Sequence, residues 1–196
     1  LKIAFSGPQA SGKSTLIKNL LDNFLKKDEY YFIKGGARKL KDSGFEINEK
    51  GTDLSQVLLF NSYIDDLMIK PKQTITKHYI YDRWLLDGLV YCDWSVSIGK
   101  NSPWVYDYGQ LMLKMIQSEI DILFYCDTEG VPVENDDYRN IDEDYRTIIR
   151  SIFENYLKEP IVKFKKIVYL TGPLKDRTSK VLETINNIQD SPIGAN

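Results

Sequence analysis

Histidine is almost missing from this chain: His78 is the only one among 196 residues, and it reads as a solvent-facing or strand-edge residue with no catalytic role. Cysteine is as sparse. Cys92 and Cys126 lie inside apolar segments, with no C-x-x-C spacing and no His beside them, which reads as two buried free thiols rather than a disulfide or a zinc site. No apolar run approaches the length of a bilayer span and no charged-then-apolar leader precedes the first expected strand, so the expectation is a soluble, cytosolic protein with no membrane partner. Net charge is small, at −2, which supplies no global pull toward nucleic acid or anionic lipid. Local basic clusters do exist, from Lys34 to Lys41 and from Lys163 to Lys166. Repeats and low-complexity tracts are absent, and only residues 191–196, with Pro192 and Gly194 among small polar residues, read as a flexible tail.

What is present fits one domain over residues 1–190. Short, continuously apolar or aromatic segments near 2–6, 30–33, 78–81, 120–126 and 166–170 read as strands. Helical periodicity falls near 13–27, 53–69, 84–98, 104–118, 139–158 and 174–189. Strands that alternate with helices and are apolar throughout predict an α/β fold, a three-layer doubly wound sandwich around a five-stranded parallel sheet. Ligands in such sheets bind beyond the carboxyl ends of the strands.

The first strand runs into Gly7-Pro8-Gln9-Ala10-Ser11-Gly12-Lys13-Ser14, a match to G-x-x-x-x-G-K-[ST], and an amphipathic helix follows. Backbone N–H groups of such a loop and the positive end of its helix cradle a polyphosphate. The pattern assigns Gly7, Gln9, Ala10, Ser11, Gly12, Lys13, Ser14 and Thr15 to that cradle, with Lys13 on the β- and γ-phosphates and Ser14 on Mg²⁺. The expected cofactors are therefore ATP and Mg²⁺.

Other candidates stand just after the remaining strands. The second strand ends in Lys34-Gly35-Gly36-Ala37-Arg38-Lys39, read as a turn whose cations either hold a second substrate's phosphate or simply face solvent. The third runs into Asp82-Arg83, where the carboxylate either holds the Mg²⁺ water shell or takes a proton and the arginine neutralises phosphoryl charge; a buried ion pair is the other reading. Arg139, Arg146 and Arg150 fall seven and four residues apart on one helical face, opposite Ile149, Ile152, Phe153, Tyr156 and Leu157. That segment reads as a lid bringing arginine charge over a triphosphate, with surface salt bridges to Asp142, Glu143 or Asp144 as the alternative for each arginine. Thr171-Gly172-Pro173 after the fifth strand reads as a turn presented to an adenine ring with Arg177 beneath it, or as a plain turn.

Taken together, these features resemble the P-loop nucleoside and nucleotide kinases, thymidylate kinase and its phage relatives in particular, over most of the chain. Tyr81-Asp82-Arg83-Trp84-Leu85-Leu86-Asp87-Gly88-Leu89-Val90-Tyr91 is similar to the thymidylate kinase segment that begins Asp-Arg-aromatic and ends Ala-Tyr-Gln. The resemblance implies that Arg83 meets the acceptor's phosphate, that Tyr91 lies near its sugar, that Phe60 stacks on its base, and that the protein is a homodimer. Gln9 stands where that family usually has an acid and Cys92 where its Gln addresses thymine, so the resemblance does not carry thymine specificity. Cations instead of an acidic base after the second strand favour an acceptor that already bears phosphate. The expected activity is phosphoryl transfer from ATP to a (deoxy)nucleoside monophosphate, with Lys13, Asp82, Arg83, Arg139 and Arg146 as the catalytic set. Two alternatives stay open: phosphorylation of 5-hydroxymethyluracil within DNA by a phage-type kinase, and an ATPase or switch module.

Overall fold

Parallel strands Lys2–Ser6 (β1), Tyr30–Lys34 (β2), His78–Asp82 (β3), Ile122–Cys126 (β4) and Ile167–Leu170 (β5) form one sheet in the order β2-β3-β1-β4-β5. The helices are Lys13–Asn23 (α1), Gly36–Asp42 (α2), Asp53–Met68 (α3), Leu85–Ser97 (α4), Pro103–Ile116 (α5), Glu143–Lys158 (α6) and Leu174–Gln189 (α7). The structure, a computed structural model, describes residues 1–47, 50–69, 76–131, 143–158 and 163–189. The tail expected over 191–196 lies outside them. No helix among the described residues is long and apolar enough to cross a membrane.

Alternation along the strands divides the core into two layers. Ile3, Phe5, Ile122 and Phe124 point to one face, under Leu16, Ile17 and Leu20 of α1 and Val181 and Ile185 of α7. Ala4, Leu123 and Tyr125 point to the other, under α3, α4, α5 and α6. Every residue of β4 is buried, as a strand covered on both faces requires. The register aligns Phe5 with Asp82 and Lys34 with Asp82, so β1, β2 and β3 end at one rim.

Two expectations change. Helix α1 stops at Asn23 rather than 27, because the N–H groups of Phe24 and Leu25 both turn back to Leu20 O, at 3.0 and 2.8 Å. The segment after β2, read as a turn, holds helix α2. Its start is wedged against α3, where a Cβ on Gly36 would overlap Ser62 Oγ, and Lys39 Nζ reaches the buried Asp66 Oδ1 at 2.6 Å. A seven-residue helix with a single buried position, Gly36, has no apolar period to read.

Phe60 is a packing residue. It has no exposed surface, and Cβ atoms on Gly88 and Gly109 would come within 3.2 and 2.6 Å of its ring, so α4 and α5 approach α3 through that ring. No face is left open for a base. Phe60→Ala is expected to cost about 3–5 kcal/mol, read as a lower midpoint in denaturant unfolding; a variant as stable as wild type would remove the ring from the core.

Candidate active site around the phosphate loop

The loop after β1 depends on backbone conformations that few residues adopt. Gly7 has φ +142, and a Cβ there would sit 2.3 Å from Cys126 O at the end of β4. Gly12, at φ +72, caps α1 in the left-handed region. Lys13 is folded into the loop: Nζ donates to Gly7 O at 2.7 Å, Pro8 O at 2.5 Å and Ser11 Oγ at 2.8 Å. Burial pulls its ammonium from 10.5 to about 7, with Arg83 adding to the fall and Asp87 opposing it. Ser14 Oγ donates to Asp82 Oδ2 at 3.1 Å and takes a long contact of 3.4 Å from Arg38 Nη2.

That geometry suits the groups the motif implies. Exposed Ser14 and the end of Asp82 present two hard oxygen donors side by side, the number Mg²⁺ usually takes from protein when phosphates and water supply the rest. Among the described residues no group of three or more His, Cys, Asp or Glu could hold a metal by itself. A shallow cleft between Lys2, Lys77, Asp121 and Lys165 opens at the amino ends of the strands, away from this chemistry.

Arg83, at φ +77, is a non-glycine residue in the left-handed region at the tip of β3. Its N–H bonds Phe5 O at 3.0 Å, Nη1 bonds Asp87 Oδ1 at 3.0 Å, and the guanidinium lies 5.6 Å from the Tyr91 ring centroid. Tyr91 OH in turn accepts the Gln9 N–H at 3.0 Å. Lys34 and Arg38 are exposed at the same rim, whereas Lys39 is drawn to Asp66.

The other arginines divide. Arg146 on α6 is buried and donates Nη2 to Ala10 O at 3.1 Å, which lays α6 against the phosphate loop. Arg150 forks onto Asp127, Nη2 to Oδ2 and Nε to Oδ1, each at 2.9 Å. Arg139 lies outside the described residues. Arg177 is 3 % exposed and donates to four carbonyl oxygens: Gly172 at 2.7 Å, Ser11 at 2.8 Å, Asp127 at 2.9 Å and Glu129 at 3.1 Å. It staples the phosphate loop to the turns after β4 and β5, the second of which is the Gly172-Pro173 turn expected to meet an adenine ring.

Two carboxylates escaped the sequence reading. Asp87 is buried against Gly7 N–H at 3.2 Å, and Asp127 receives Thr128 N–H at 2.6 Å and Arg150. Asp87 stands four residues from both Arg83 and Tyr91, a helical spacing that was there to be read. Asp127 carried no such signal, since Arg150 meets it only through the fold.

A family model described as an AAA domain matches residues 2–177. No curated protein matches the chain. Among solved structures it is similar to deoxyadenosine kinase from M. mycoides with products dCMP and a flexible dCDP bound, at 15 % identity and a TM-score of 0.66, covering 96 % of this chain and 100 % of that one. The same enzyme with bound dATP gives 16 % identity and a TM-score of 0.67 over 95 % and 99 %. NadR protein in complex with NR gives 14 % identity and a TM-score of 0.72, covering 100 % of this chain and 52 % of that one. At such identities the likeness is one of fold.

Burial of Lys13 would make nucleotide binding at this loop proton-linked. As pH rises above about 7 the ligand-free side chain loses its proton, with Ser11 Oγ–H then able to donate to Nζ, and a triphosphate against it would favour the charged form. Calorimetry of Mg·ATP binding at pH 8 in buffers of different ionisation enthalpy is expected to show uptake of close to one proton, as the linkage between proton and ligand binding requires, and none in Lys13→Met.

Proposed function

The chain belongs to the AAA domain family, and from that premise we propose that it transfers the γ-phosphoryl group of ATP to a nucleoside-type acceptor already carrying phosphate, a (deoxy)nucleoside monophosphate. The engagement of the rim's carboxylates carries this reading. Asp87 is enclosed by Gly7, Trp84 and Arg83, Asp127 is occupied by Arg150, and Asp82 is bonded by Ser14. A nucleoside hydroxyl needs a base to take its proton, and the strand-tip carboxylate nearest the phosphate loop, Asp82, is already bonded to Ser14. A phosphate acceptor needs no base. It needs cations, and Lys34, Arg38 and Arg83 stand at the rim.

In this mechanism the loop N–H groups and Lys13 hold the donor's β- and γ-phosphates. Ser14 and Asp82 would hold Mg²⁺, which when bound would neutralise charge on the donor's phosphates. Arg83 and its neighbouring cations bring the acceptor phosphate into line, so that its oxygen attacks the γ-phosphorus as the bond to the β-phosphate oxygen breaks and ADP leaves. Arg146, bonded to the loop at Ala10, brings charge toward the transferring group from α6 and helps keep water out.

ADP release from Mg·ATP, measured against nucleosides, nucleoside monophosphates and hydroxymethyluracil-containing DNA with an acceptor-free control, tests this. Turnover confined to a monophosphate is the expected result; turnover only with modified DNA, or ATP hydrolysis equally fast without acceptor, would overturn it. With the acceptor in hand, Lys13→Ala is expected to lower kcat by about a hundredfold or more. Asp82→Asn is expected to lower kcat far more than it weakens ATP, and Arg83→Ala to raise the acceptor KM by about tenfold or more.

A further inference from the structure

Asp87 is the most enclosed charged group near the site, at 1 % exposure, and the mechanism above leaves it unused. Three donors converge on it. Gly7 N–H and Arg83 Nη1 reach Oδ1 at 3.2 and 3.0 Å, and Trp84 N–H reaches Oδ2 at 3.1 Å. They come from the phosphate loop, the tip of β3 and the start of α4. Arg83 and Ala10 of the loop are also the non-glycine residues at positive φ among those described, and strain of this kind persists only where surrounding contacts over-determine it. Phe5 O holds the Arg83 N–H, and Asp87 holds its guanidinium. One turn further along α4, Tyr91 repeats the pattern, taking a loop N–H on its hydroxyl and the Arg83 guanidinium over its ring.

The geometry points to Asp87 as a positioning residue that makes the phosphate loop and the acceptor-facing arginine one unit. Its carboxylate fixes one edge of the guanidinium fork, and the rest of the fork remains for an anion; the Arg83 side chain keeps 24 % exposure while its partner is sealed. The same Oδ1 that orients Arg83 holds Gly7, so this buried group, together with Tyr91 and a 3.5 Å contact from Arg83 Nη1 to Gly7 O, sets the distance between acceptor phosphate and donor loop. The role at the acceptor rests on the kinase reading above; the link from Arg83 through Asp87 to Gly7 does not.

Four proteins test it: wild type, Asp87→Asn, Arg83→Ala and the double variant. Asparagine keeps one acceptor oxygen, enough for one of the two backbone N–H groups, and removes the charge that holds the fork; Asp87→Ser, with a hydroxyl acceptor and no charge, carries the same comparison if the asparagine variant does not fold. Asp87→Asn is expected to raise the acceptor KM by about tenfold with kcat changed less than about threefold, and to add less than about threefold to KM once Arg83 is already Ala. Thermal unfolding without ligand gives a readout independent of any acceptor. Arg83→Ala leaves the buried Asp87 carboxylate with two backbone N–H donors and without its counter-charge, so adding Asp87→Asn is expected to raise Tm above that of Arg83→Ala alone. Equal KM losses in both backgrounds, or a double variant melting no higher than Arg83→Ala, overturns the proposal. If no acceptor turns over, the kinase reading fails and the melting comparison still decides the link.

Discussion

The constraint on which the site depends is the closeness of Gly7 to the end of β4. A Cβ at that position would lie 2.3 Å from Cys126 O, so the loop after β1 runs directly against its neighbour's backbone. Only a glycine permits this, and only a parallel sheet with β1 between β3 and β4 brings the two ends together. From that wedge the rest follows. Gly12 opens α1 behind the loop, Lys13 folds beneath it, and Ser14 emerges beside Asp82 at the end of the adjoining strand.

Charge around the loop is divided between framework and chemistry, and residue type does not tell which is which. Arg177 and Arg150 are largely consumed internally, one by four carbonyl oxygens and the other by Asp127 with further contacts to Glu129 and Glu154. A buried guanidinium costs several kcal/mol in desolvation unless its donors are satisfied, and the four carbonyls offset that cost for Arg177, whereas Arg150 stays partly in water. Arg83 is the intermediate case, with one edge committed to Asp87 and the other turned to the rim. Lys34 and Arg38 are exposed at the same edge. A ring of positive groups around one loop thus combines rigid parts, which shape the loop, with looser ones suited to a mobile anion.

The helices α2 to α5 show how packing reassigns residues. Phe60 has the aromatic surface that a base-stacking role would use, but α4 and α5 close on it through Gly88 and Gly109, and its ring becomes the joint between three helices. Helix α2 owes its place to Gly36 against Ser62 and Lys39 against Asp66, contacts between segments far apart in the chain. Neither outcome follows from a local pattern, because each depends on the distance between helices.

The sequence by itself determined the sheet, its parallel character and the phosphate loop. Those features are local: apolar runs bounded by turns, alternation along the strand, and a glycine-spaced motif whose backbone demands are met within a few residues. It also marked Asp82 and Arg83 as residues to watch, since a strand tip is readable along the chain, and Tyr91 through the family resemblance. What only the tertiary structure decided is which groups are used up. Asp87 on Gly7, Asp127 on Arg150 and Arg177 on four carbonyls join segments as far as 166 residues apart. Hydrogen bonding at that range is set by where the sheet delivers its strand ends, and no spacing in the sequence records it.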